Sequence, residues 1–387
     1  MRIGIYNEPG QGGIGGSEIS VALLAEVLAV DNQVDIVHHK DYLSRETLSE
    51  ISGTKLNDVG MRYVVPEPYS FGSSHNPWRR YREARNWHRQ LSEPYELFFN
   101  FTHGYPPFCH SARGALIVLF PFHEPAHVEG TQQKMRLRDD LALAYHNFEW
   151  GQRLASYQHK SAISQYSKAW ASRRWGIDCE VIYPPVETDH PVRPKQDFIL
   201  SVGRFTSTGH SKKQMEMLAA FGRLKTSSIY DWQYFLIGGV SSAPQDQAYF
   251  EDVHLRAKRM GAFVLANLER RRLRRLYEQA KIFWHAAGYG EQEDHPELSE
   301  HFGIATVEAM STGCVPIVIN KGGQSEIVEH GISGFLWRTL DELKEYTELL
   351  MSDERTRVAM ASAARARAKY FGRERFVSSF LHLLPGT

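Results

Sequence analysis

The sequence predicts an α/β protein with two doubly wound domains, and three observations support this prediction. Apolar, β-branched runs such as Val315 to Ile319 alternate with helical patterns such as Ile304 to Ser311. Glycine-rich turns follow several of the predicted strands, as is common where a strand leads into a helix of a parallel sheet. The chain of 387 residues is also long enough for two such sheets, each with its own core.

A segment rich in proline separates the two halves of the chain. Its prolines are Pro184, Pro185, Pro191 and Pro194. Because proline interrupts both helices and central strands, this composition is typical of a linker between domains. We therefore predict a first domain over residues 1–190 and a second domain over residues 191–369.

The composition excludes several classes of protein. Hydrophobic residues make up 42% of the chain, which excludes a disordered polymer, and 45 acidic residues balance 45 basic ones. This balance leaves no overall field to attract nucleic acid or an anionic membrane. No run of about 18 apolar residues occurs that could cross a bilayer. The N-terminus, MRIGIYNE, is typical of a strand rather than of a signal peptide.

The cysteine and histidine patterns predict a cytoplasmic protein without a metal centre. Cys109, Cys179 and Cys314 are odd in number and form no CxxC pair, which fits a reducing compartment. The 18 histidines are scattered without an HExxH motif, and no Asp-x-Asp pair is present. We therefore expect no metal ion and no cofactor.

The stretch from Pro296 to Ile327, PELSEHFGIATVEAMSTGCVPIVINKGGQSEI, contains the most informative motif. Gly303 opens a predicted helix whose first N–H groups would form an anion site suited to a diphosphate. Glu308 shares a helix face with apolar residues, so we expect it to be partly buried. A buried carboxylate needs donors, and the vicinal hydroxyls of a ribose would serve. For Glu300 or Glu308 taken alone, a solvent-exposed glutamate remains the alternative.

Glu300 and Glu308 around His-Phe-Gly, followed by EAMSTGCVPIV and GGQSEIV, resemble the signature of retaining glycosyltransferases of family 4, which have the GT-B fold. The EHFGI motif with the following glycine pair resembles most closely the branch that contains the cytosolic mannosyltransferase of dolichol-linked oligosaccharide synthesis. The resemblance implies two Rossmann-like domains that face each other across a cleft. It also implies that the last helix, within residues 370–387, returns to the first domain.

The resemblance implies roles for individual residues of this stretch. Glu300 would hold the hydroxyls of the donor sugar, and Glu308 would hold the ribose of the nucleotide. The remaining donor-binding residues here are Phe302, Gly303 and Ile304.

A glycine-rich loop follows the first predicted strand, Arg2 to Tyr6, and matches G-x-G-x-x-G. A dehydrogenase that binds a nicotinamide cofactor is therefore one alternative. The second strand ends in HHK, without an acidic residue to hold a ribose, which disfavours this alternative. In the resembled family a glycine pair here borders the donor diphosphate, which implies that role for Gly15 and Gly16. A tight turn without a ligand is the other interpretation, and Ser17 is the predicted N-cap of the next helix.

The predicted strand from Phe198 to Val202 is followed by Gly-Arg-Phe and a loop that contains two lysines. This segment resembles the element of the family in which an arginine and a lysine hold the donor diphosphate. Arg204 and Lys212 are the matching residues, and Lys212 is favoured over Lys213. Two such cations can stabilise a leaving diphosphate without a metal. A pair of ordinary surface cations is the alternative.

Three other segments of the second half each carry a separate prediction. Asn267 follows a predicted strand where the family places contacts to the nucleobase. The arginine-rich run from Glu269 to Leu276 has its leucines on one stripe, which favours a solvated helix face over a nucleic-acid surface. The acidic loop from Gly288 to Ser299 is longer than the family usually has. A lid and a specificity loop are the two roles that we consider for it.

Two histidines follow predicted strand ends in the first half, where ligands of an open α/β sheet bind. They are His103 and His123. Relatives in the family often place a histidine near the reacting sugar, which implies this role for His123 in preference to His103. A surface or core histidine is the alternative for each.

The segment from Trp78 to Arg89 interleaves aromatic residues with five arginines. If helical, it would present a basic, aromatic surface to an anionic membrane or to a phosphorylated acceptor. A solvated helix that covers the first sheet is slightly favoured over membrane contact. Peripheral attachment at the inner face of a membrane is therefore a hypothesis.

Taken together, these resemblances imply a retaining hexosyltransferase with the catalytic residues Glu300, Arg204, Lys212 and His123. The donor would be a nucleotide diphosphate sugar, with UDP and GDP both open, and the acceptor a saccharide or a lipid-linked glycan. A non-catalytic, sugar-binding scaffold of the same fold is the main alternative. It would have no need of both glutamates together with both cations.

Overall fold

The computed structural model describes residues 1–7, 15–40, 43–66, 77–122, 137–225 and 231–384. The chain divides into two compact units, Met1–Ile182 and Tyr183–Thr387. Each unit contains one parallel sheet with helices between its strands, so the predicted α/β class with two doubly wound domains is confirmed. The return of residues 370–387 to the first domain stays a prediction.

The first unit has seven strands in the order β3-β2-β1-β4-β5-β6-β7, and all described pairs are parallel. Its strands are β1 (Arg2–Asn7), β2 (Gln33–His38), β3 (Val59–Tyr63), β4 (Leu97–Thr102), β5 (Arg113–Val118), β6 (His159–Ala162) and β7 (Glu180–Val181). Its helices are α1 (Gly16–Leu28), α2 (Arg45–Ser52), α3 (Pro77–Ser92), α4 (Leu137–Ala155) and α5 (Gln165–Trp175).

The second unit has six strands in the order β10-β9-β8-β11-β12-β13, again all parallel. Its strands are β8 (Gln196–Val202), β9 (Gln233–Gly238), β10 (Phe263–Ala266), β11 (Ala280–His285), β12 (Val315–Ile319) and β13 (Phe335–Trp337). Its helices are α6 (Gln214–Lys225), α7 (Pro244–Met260), α8 (Arg270–Gln279), α9 (Ile304–Ser311), α10 (Gln324–Ile327), α11 (Leu340–Ser352), α12 (Glu354–Ala368) and α13 (Arg373–Leu381).

The strand order of each sheet reverses direction at one place. In the second unit this place lies between β8 and β11, which are hydrogen-bonded neighbours although three helices and two strands separate them in sequence. Loops that leave the carboxyl ends of such strands diverge, and the crevice between them is where open α/β sheets bind ligands. The strands at this crevice end in Val202 and His285.

The central strands are continuous apolar runs because helices cover both faces of each sheet. Every residue of β4 and of β12 is buried. In the second unit the core joins Trp284 and Trp337 from the sheet to Phe221 from α6 and Leu343 from α11. The burial of these large side chains holds the strand ends in fixed positions, which a binding site on those ends requires.

The helix starts show one wrong prediction and one correct one. Ser17 is not an N-cap, because α1 begins at Gly16, two residues earlier than predicted, and its N-cap is Gly15. The carboxylate of Glu18 accepts hydrogen bonds from the Gly15 N–H and from the Ser17 hydroxyl, so the serine serves this carboxylate instead. The helix predicted from Ile304 to Ser311 has those bounds in the structure.

Candidate functional site

The loop before α9 rests directly on a glycine pair that follows β12. The Gly323 N–H donates to the Glu300 carbonyl oxygen at 2.7 Å. A Cβ atom on Gly322 would lie 2.3 Å from that same oxygen, and one on Gly323 would lie 2.6 Å from the His301 carbonyl oxygen. Glycine is therefore required at both positions, because a side chain there would displace the backbone that carries Glu300.

Gly303 is the N-cap of α9 and has a φ angle of 120°, which disfavours any residue with a side chain. A Cβ atom there would lie 2.6 Å from the Gln324 amide nitrogen. The sequence predicted that this glycine lets a ligand approach. The structure shows that packing within the protein already requires it.

The Glu300 carboxylate is the centre of an ionic cluster at the crevice between β8 and β11. Its Oε2 atom accepts a hydrogen bond from the Lys212 ammonium at 2.6 Å and one from the His285 Nε2 atom at 2.8 Å. The His210 Nε2 atom lies 3.8 Å from the same oxygen. His210 in turn stacks on His301, with 5.1 Å between the ring centroids. The structure thus joins two predicted site residues, Glu300 and Lys212.

The surroundings of Glu300 favour its ionised form. Burial alone would raise the pKa of this carboxyl, but the Lys212 ammonium and the neighbouring imidazoles hold it well below its usual value. Burial lowers the pKa of His285, and it lowers that of His210 well below the usual value with help from Lys212. At neutral pH the cluster therefore contains one carboxylate, one ammonium and uncharged imidazoles.

Lys212 is held in place by the glycine at the end of β8. A Cβ atom on Gly203 would lie 2.6 Å from the Lys212 Cγ atom, so the aliphatic part of the lysine lies across this glycine. The Gln214 amide donates to the Arg204 carbonyl oxygen at 3.0 Å and fixes the backbone of the same turn. The Arg204 side chain is exposed, and it has no hydrogen-bond or ion-pair partner among the described residues. It is therefore free to bind an anion.

The second lysine of this loop has another partner. Lys213 has a positive φ angle of 58°, and its ammonium pairs with Glu291 in the acidic loop after β11. The Lys321 ammonium donates to the carbonyl oxygens of Gly288 and Glu291 in the same loop. The preference for Lys212 over Lys213 agrees with this geometry, since only Lys212 contacts Glu300. The acidic loop is anchored by two lysines at its start.

Glu308 is partly buried on α9, as the sequence predicts. Burial raises the pKa of its carboxyl, against the opposing effects of Arg270 and the Tyr277 hydroxyl. Arg270 and Arg274 of α8 are half-buried, and Arg274 pairs with Glu187. The prediction of a solvated face on α8 therefore holds only for its exposed arginines, which are Arg271, Arg272 and Arg275.

Two predicted donor residues have evident structural roles. The Phe302 side chain is buried and packs on Tyr183 and Phe371, with 5.5 Å between ring centroids in both cases, so only its backbone is left for a ligand. Asn267 has a φ angle of 51°, and its side-chain oxygen accepts a hydrogen bond from the Val240 N–H at 3.0 Å. It links the turns that follow β9 and β10.

In the first unit, the N-terminus of α1 is already occupied by a carboxylate of the chain. Glu18 Oε2 accepts the Gly15 N–H at 2.8 Å, and Glu18 Oε1 pairs with the Lys40 ammonium at 2.9 Å. Both side chains are about nine-tenths buried. A diphosphate that approached Gly15 and Gly16 would meet this carboxylate, so their role in donor binding stays a prediction without support from the geometry.

His123 lies outside the described residues. His103 follows β4, is half-buried and packs on Phe122, with 5.3 Å between ring centroids. The described residues contain no group of three or more His, Cys, Asp or Glu side chains arranged to hold a metal ion.

Sequence reasoning missed His285, the residue that contacts Glu300 most closely apart from Lys212. The signal was present, because His285 is the last residue of a central strand, and His103, which was considered, directly follows another. His210 was missed because its position in the loop after β8 has no regular pattern. Its contact with the cluster depends on how that loop folds.

Residues 186–367 match a family model whose description is glycosyl transferases group 1. Most of the second unit therefore matches this family of glycosyl transferases. The match confirms the glycosyltransferase predicted from the Glu300–Glu308 motif, whereas family 4, the retaining mechanism and the EHFGI branch stay predictions. It also leaves the dehydrogenase alternative without support.

Part of the chain is similar in sequence to curated mannosyltransferases. The chain is 25% identical over 225 residues to the GDP-Man:Man(3)GlcNAc(2)-PP-Dol alpha-1,2-mannosyltransferase of Dictyostelium discoideum. The aligned part covers 54% of this chain and 42% of that enzyme. The chain therefore spans less than half the length of this relative.

Two solved structures resemble both units of the chain. One is that of Anabaena Alr3699/HepE in complex with UDP and glucose, with a TM-score of 0.63, 17% identity and 99% of each chain covered. The other is a glycosyltransferase from Rickettsia africae ESF-5, with a TM-score of 0.70, 14% identity and coverage of 98% and 97%. At these identities the likeness shows the fold, and it confirms the predicted GT-B class with two Rossmann-like domains.

Proposed function

We propose that the protein is a retaining glycosyltransferase that moves a hexose from a nucleotide diphosphate sugar to an acceptor hydroxyl. The observation that carries this proposal is the cluster of Glu300, Lys212 and His285 at the switch point of a group 1 domain. It places a carboxylate, a cation and the N-terminus of α9 around one crevice. These are the groups that a sugar hydroxyl and a diphosphate need.

Lys212 would bind Glu300, which holds the donor sugar, and the donor diphosphate at the same time. An ammonium has three N–H donors; Glu300 accepts one at 2.6 Å, and the His210 Nε2 atom lies 3.5 Å from the same ammonium. The remaining donor capacity can bind the diphosphate, with help from Arg204 and from the first N–H groups of α9. As the bond between the anomeric carbon and the phosphate oxygen breaks, negative charge grows on the diphosphate, and these donors stabilise it.

Glu300 would act as a hydrogen-bond acceptor rather than as a base or a nucleophile. A carboxyl whose pKa lies well below the usual value has little affinity for a proton at neutral pH. We therefore propose that the acceptor attacks the anomeric carbon on the face that the diphosphate leaves. The acceptor proton then passes to the departing phosphate oxygen. Glu308 would hold the ribose, beside Arg270 and Tyr277.

The relatives suggest which donors to test. The Dictyostelium relative is named for GDP-mannose and a dolichol-linked acceptor, and the Anabaena structure contains UDP and glucose. We propose a UDP- or GDP-hexose as the donor and a saccharide or lipid-linked glycan as the acceptor. No metal ion is required in this proposal, because Lys212 and Arg204 supply the positive charge.

Transfer assays with UDP-glucose, GDP-mannose and related donors test the proposal. We expect one donor class to yield a nucleoside diphosphate and a product whose anomeric configuration, read by NMR, equals that of the donor. Arg204→Ala should reduce turnover by about 100-fold or more, since it removes one donor to the leaving group. Arg272→Ala is the matched control, because this arginine is exposed on α8. An inverted product, or normal turnover by Arg204→Ala, would contradict the proposed mechanism.

Peripheral membrane contact is a separate proposal that concerns α3. Trp78 is 67% exposed and lies against Phe148 of α4, which is 45% exposed. Ion pairs with Glu83 and Glu93 neutralise Arg79 and Arg89, which weakens the basic character that the sequence suggested. None of the described helices is both long enough and apolar enough to cross a bilayer.

Co-sedimentation with vesicles that contain anionic lipid tests this contact. We expect the double variant Trp78→Ser, Phe148→Ser to lose binding, because two exposed aromatic side chains could enter the headgroup region. Leu255→Ser is the matched control, since Leu255 is 52% exposed in the second unit. Equal sedimentation of the double variant and the wild type would contradict membrane contact through α3.

A further inference from the structure

The two oxygens of the Glu300 carboxylate are used unequally. Oε2 accepts both close hydrogen bonds, from Lys212 and from His285, and it is also the oxygen nearest to His210. Oε1 has no hydrogen-bond or ion-pair partner among the described residues. One oxygen therefore anchors the side chain to the protein, and the other is available to a ligand.

His285 is the most deeply buried of the side chains around the Oε2 atom of Glu300. It is the last residue of β11, which pairs with β8 on one side and β12 on the other, and its side chain is 4% exposed. Its Nδ1 atom has no hydrogen-bond partner among the described residues, so nothing there holds a proton on that nitrogen. An uncharged imidazole that contacts a carboxylate through Nε2 must have its proton on Nε2.

Lys212 alone would hold Glu300 less reliably. Its ammonium ends a flexible chain of four methylene groups, and the proposed function requires it to bind the donor diphosphate as well. Phosphate oxygens that bind the same ammonium compete with Glu300 for it, which weakens the hydrogen bond between Lys212 and Glu300. The imidazole of His285 has no such second partner, so its hydrogen bond to Oε2 persists through the reaction.

We propose that His285 is a positioning residue that orients Glu300 through Oε2 and leaves Oε1 to accept a hydrogen bond from a hydroxyl of the donor sugar. The role rests on the proposed function for its ligand, a hexose attached to a nucleoside diphosphate. It assigns to His285 an effect on the sugar and none on the nucleotide. A histidine that only stabilises the fold would affect both.

Two substitutions separate these possibilities. His285→Gln keeps an N–H donor near the position of Nε2, whereas His285→Leu keeps the size of the side chain and removes the donor. We expect His285→Leu to lower kcat/KM for the sugar nucleotide by about 10- to 100-fold, the usual effect of losing one hydrogen bond to a charged group. We expect the Kd for the free nucleoside diphosphate to change by less than about threefold in both variants, and His285→Gln to recover most of the activity.

Two kinetic results would overturn the proposal. One is equal impairment of the Gln and Leu variants, because the N–H donor would then be irrelevant. The other is a loss of nucleoside diphosphate affinity as large as the loss of kcat/KM, because the effect would then be structural.

A spectroscopic measurement tests the hydrogen bond even if His285→Leu fails to fold. In wild-type protein labelled with ¹⁵N-histidine, the signal that His285→Gln removes should show a proton on Nε2 and none on Nδ1 at neutral pH. A proton on Nδ1 would overturn the proposed hydrogen bond. This readout does not depend on catalysis. If the wild type transferred no sugar from any donor, the proposed function would fail, while the ¹⁵N spectrum would still report on His285.

Discussion

The two units use the same three elements, a glutamate, a lysine and the N-terminus of a helix, with opposite results. In the first unit both carboxylate oxygens of Glu18 are occupied, one by Lys40 and the other by the N–H of Gly15 and the hydroxyl of Ser17. In the second unit only one oxygen of Glu300 is occupied, and the N-terminus of α9 has no carboxylate of the chain in its first turn.

This difference separates a structural ion pair from a binding site. The Glu18 cluster has its hydrogen bonds satisfied within the chain, so an added anion would have to displace a buried carboxylate. The Glu300 cluster leaves Oε1 to a ligand, because both of its close hydrogen bonds are made to Oε2. A matching set of residue types is therefore insufficient to identify a site. The unused oxygen of Glu300 is what distinguishes this cluster from that of Glu18.

The largest effect is expected when Lys212, the lysine of the Glu300 cluster, is replaced. Lys212→Met should lower turnover by about 100- to 1000-fold, because it removes a cation from the developing charge of the leaving group. The free energy of unfolding should fall by about 1–3 kcal/mol, because the Glu300 carboxylate loses its cation and keeps only the hydrogen bond from His285. Steady-state kinetics and thermal unfolding of the same preparation measure both effects. Turnover within a few-fold of the wild type would contradict the role of Lys212.

The glycine pair under Glu300 offers a test of stability. Gly322→Ala should destabilise the second unit by about 2–4 kcal/mol, because Gly322 has a φ angle of 63° and its Cβ atom would lie 2.3 Å from the Glu300 carbonyl oxygen. Gly331→Ala is the matched control. Its φ angle is 77° and nothing lies within 4 Å of its Cβ position, so backbone strain alone should cost about 1 kcal/mol. Equal midpoints in urea for the two variants would contradict the steric argument.

Removing the Glu18 carboxylate of the first unit should lower the stability of the protein and leave its affinity for a nucleoside diphosphate unchanged. Glu18→Gln weakens a nearly buried ion pair and should destabilise the protein by about 1–3 kcal/mol. The Kd for a nucleoside diphosphate, measured by calorimetry, should stay within about threefold of the wild type. A large loss of nucleotide affinity in this variant would show that the Gly15–Gly16 turn takes part in donor binding after all.

The smallest expected effect is a pH dependence of stability. Interactions in the folded protein lower the pKa of Glu300 below its unfolded value of about 4.3. The stability that these interactions provide is therefore complete above that value and is lost as pH falls toward the folded pKa. The difference in free energy of unfolding between the wild type and Glu300→Gln should be constant near neutral pH and shrink below about pH 4.3. A difference that stays constant through the acid range would contradict the predicted ion pair.

The sequence predicted the fold and part of the site, for reasons that particular residues illustrate. The helix from Ile304 to Ser311 and the strand from Val315 to Ile319 were predicted with their observed bounds, because their patterns are local and strong. Glu300 and Lys212 were predicted from a motif, although 88 positions separate them. Motifs can specify such pairs even when no local pattern connects them.

The parts that could not be predicted depend on long-range packing. His285 contacts Glu300 because β11 lies beside β8 and the loop before α9 folds back over both strand ends. No spacing in the sequence expresses this arrangement. The closed state of Glu18 was hidden in the same way, since Lys40 reaches it from the end of a neighbouring strand. The glycines of this loop indicated a ligand site at Gly15. The sequence does not show that the Glu18 carboxylate already binds the Gly15 N–H group.

Thermal unfolding with UDP, GDP, ADP and their sugar conjugates tests whether the two clusters differ in nucleotide binding. The central claim is that the open cluster around Glu300 binds a nucleotide sugar and the closed cluster around Glu18 does not. A ligand at about 100 times its Kd should stabilise the wild type by roughly 2.7 kcal/mol. We predict such a shift with one base, its loss in Lys212→Met and its persistence in Lys40→Met. No shift with any ligand in folded wild type, or equal loss of the shift in both variants, would contradict the claim.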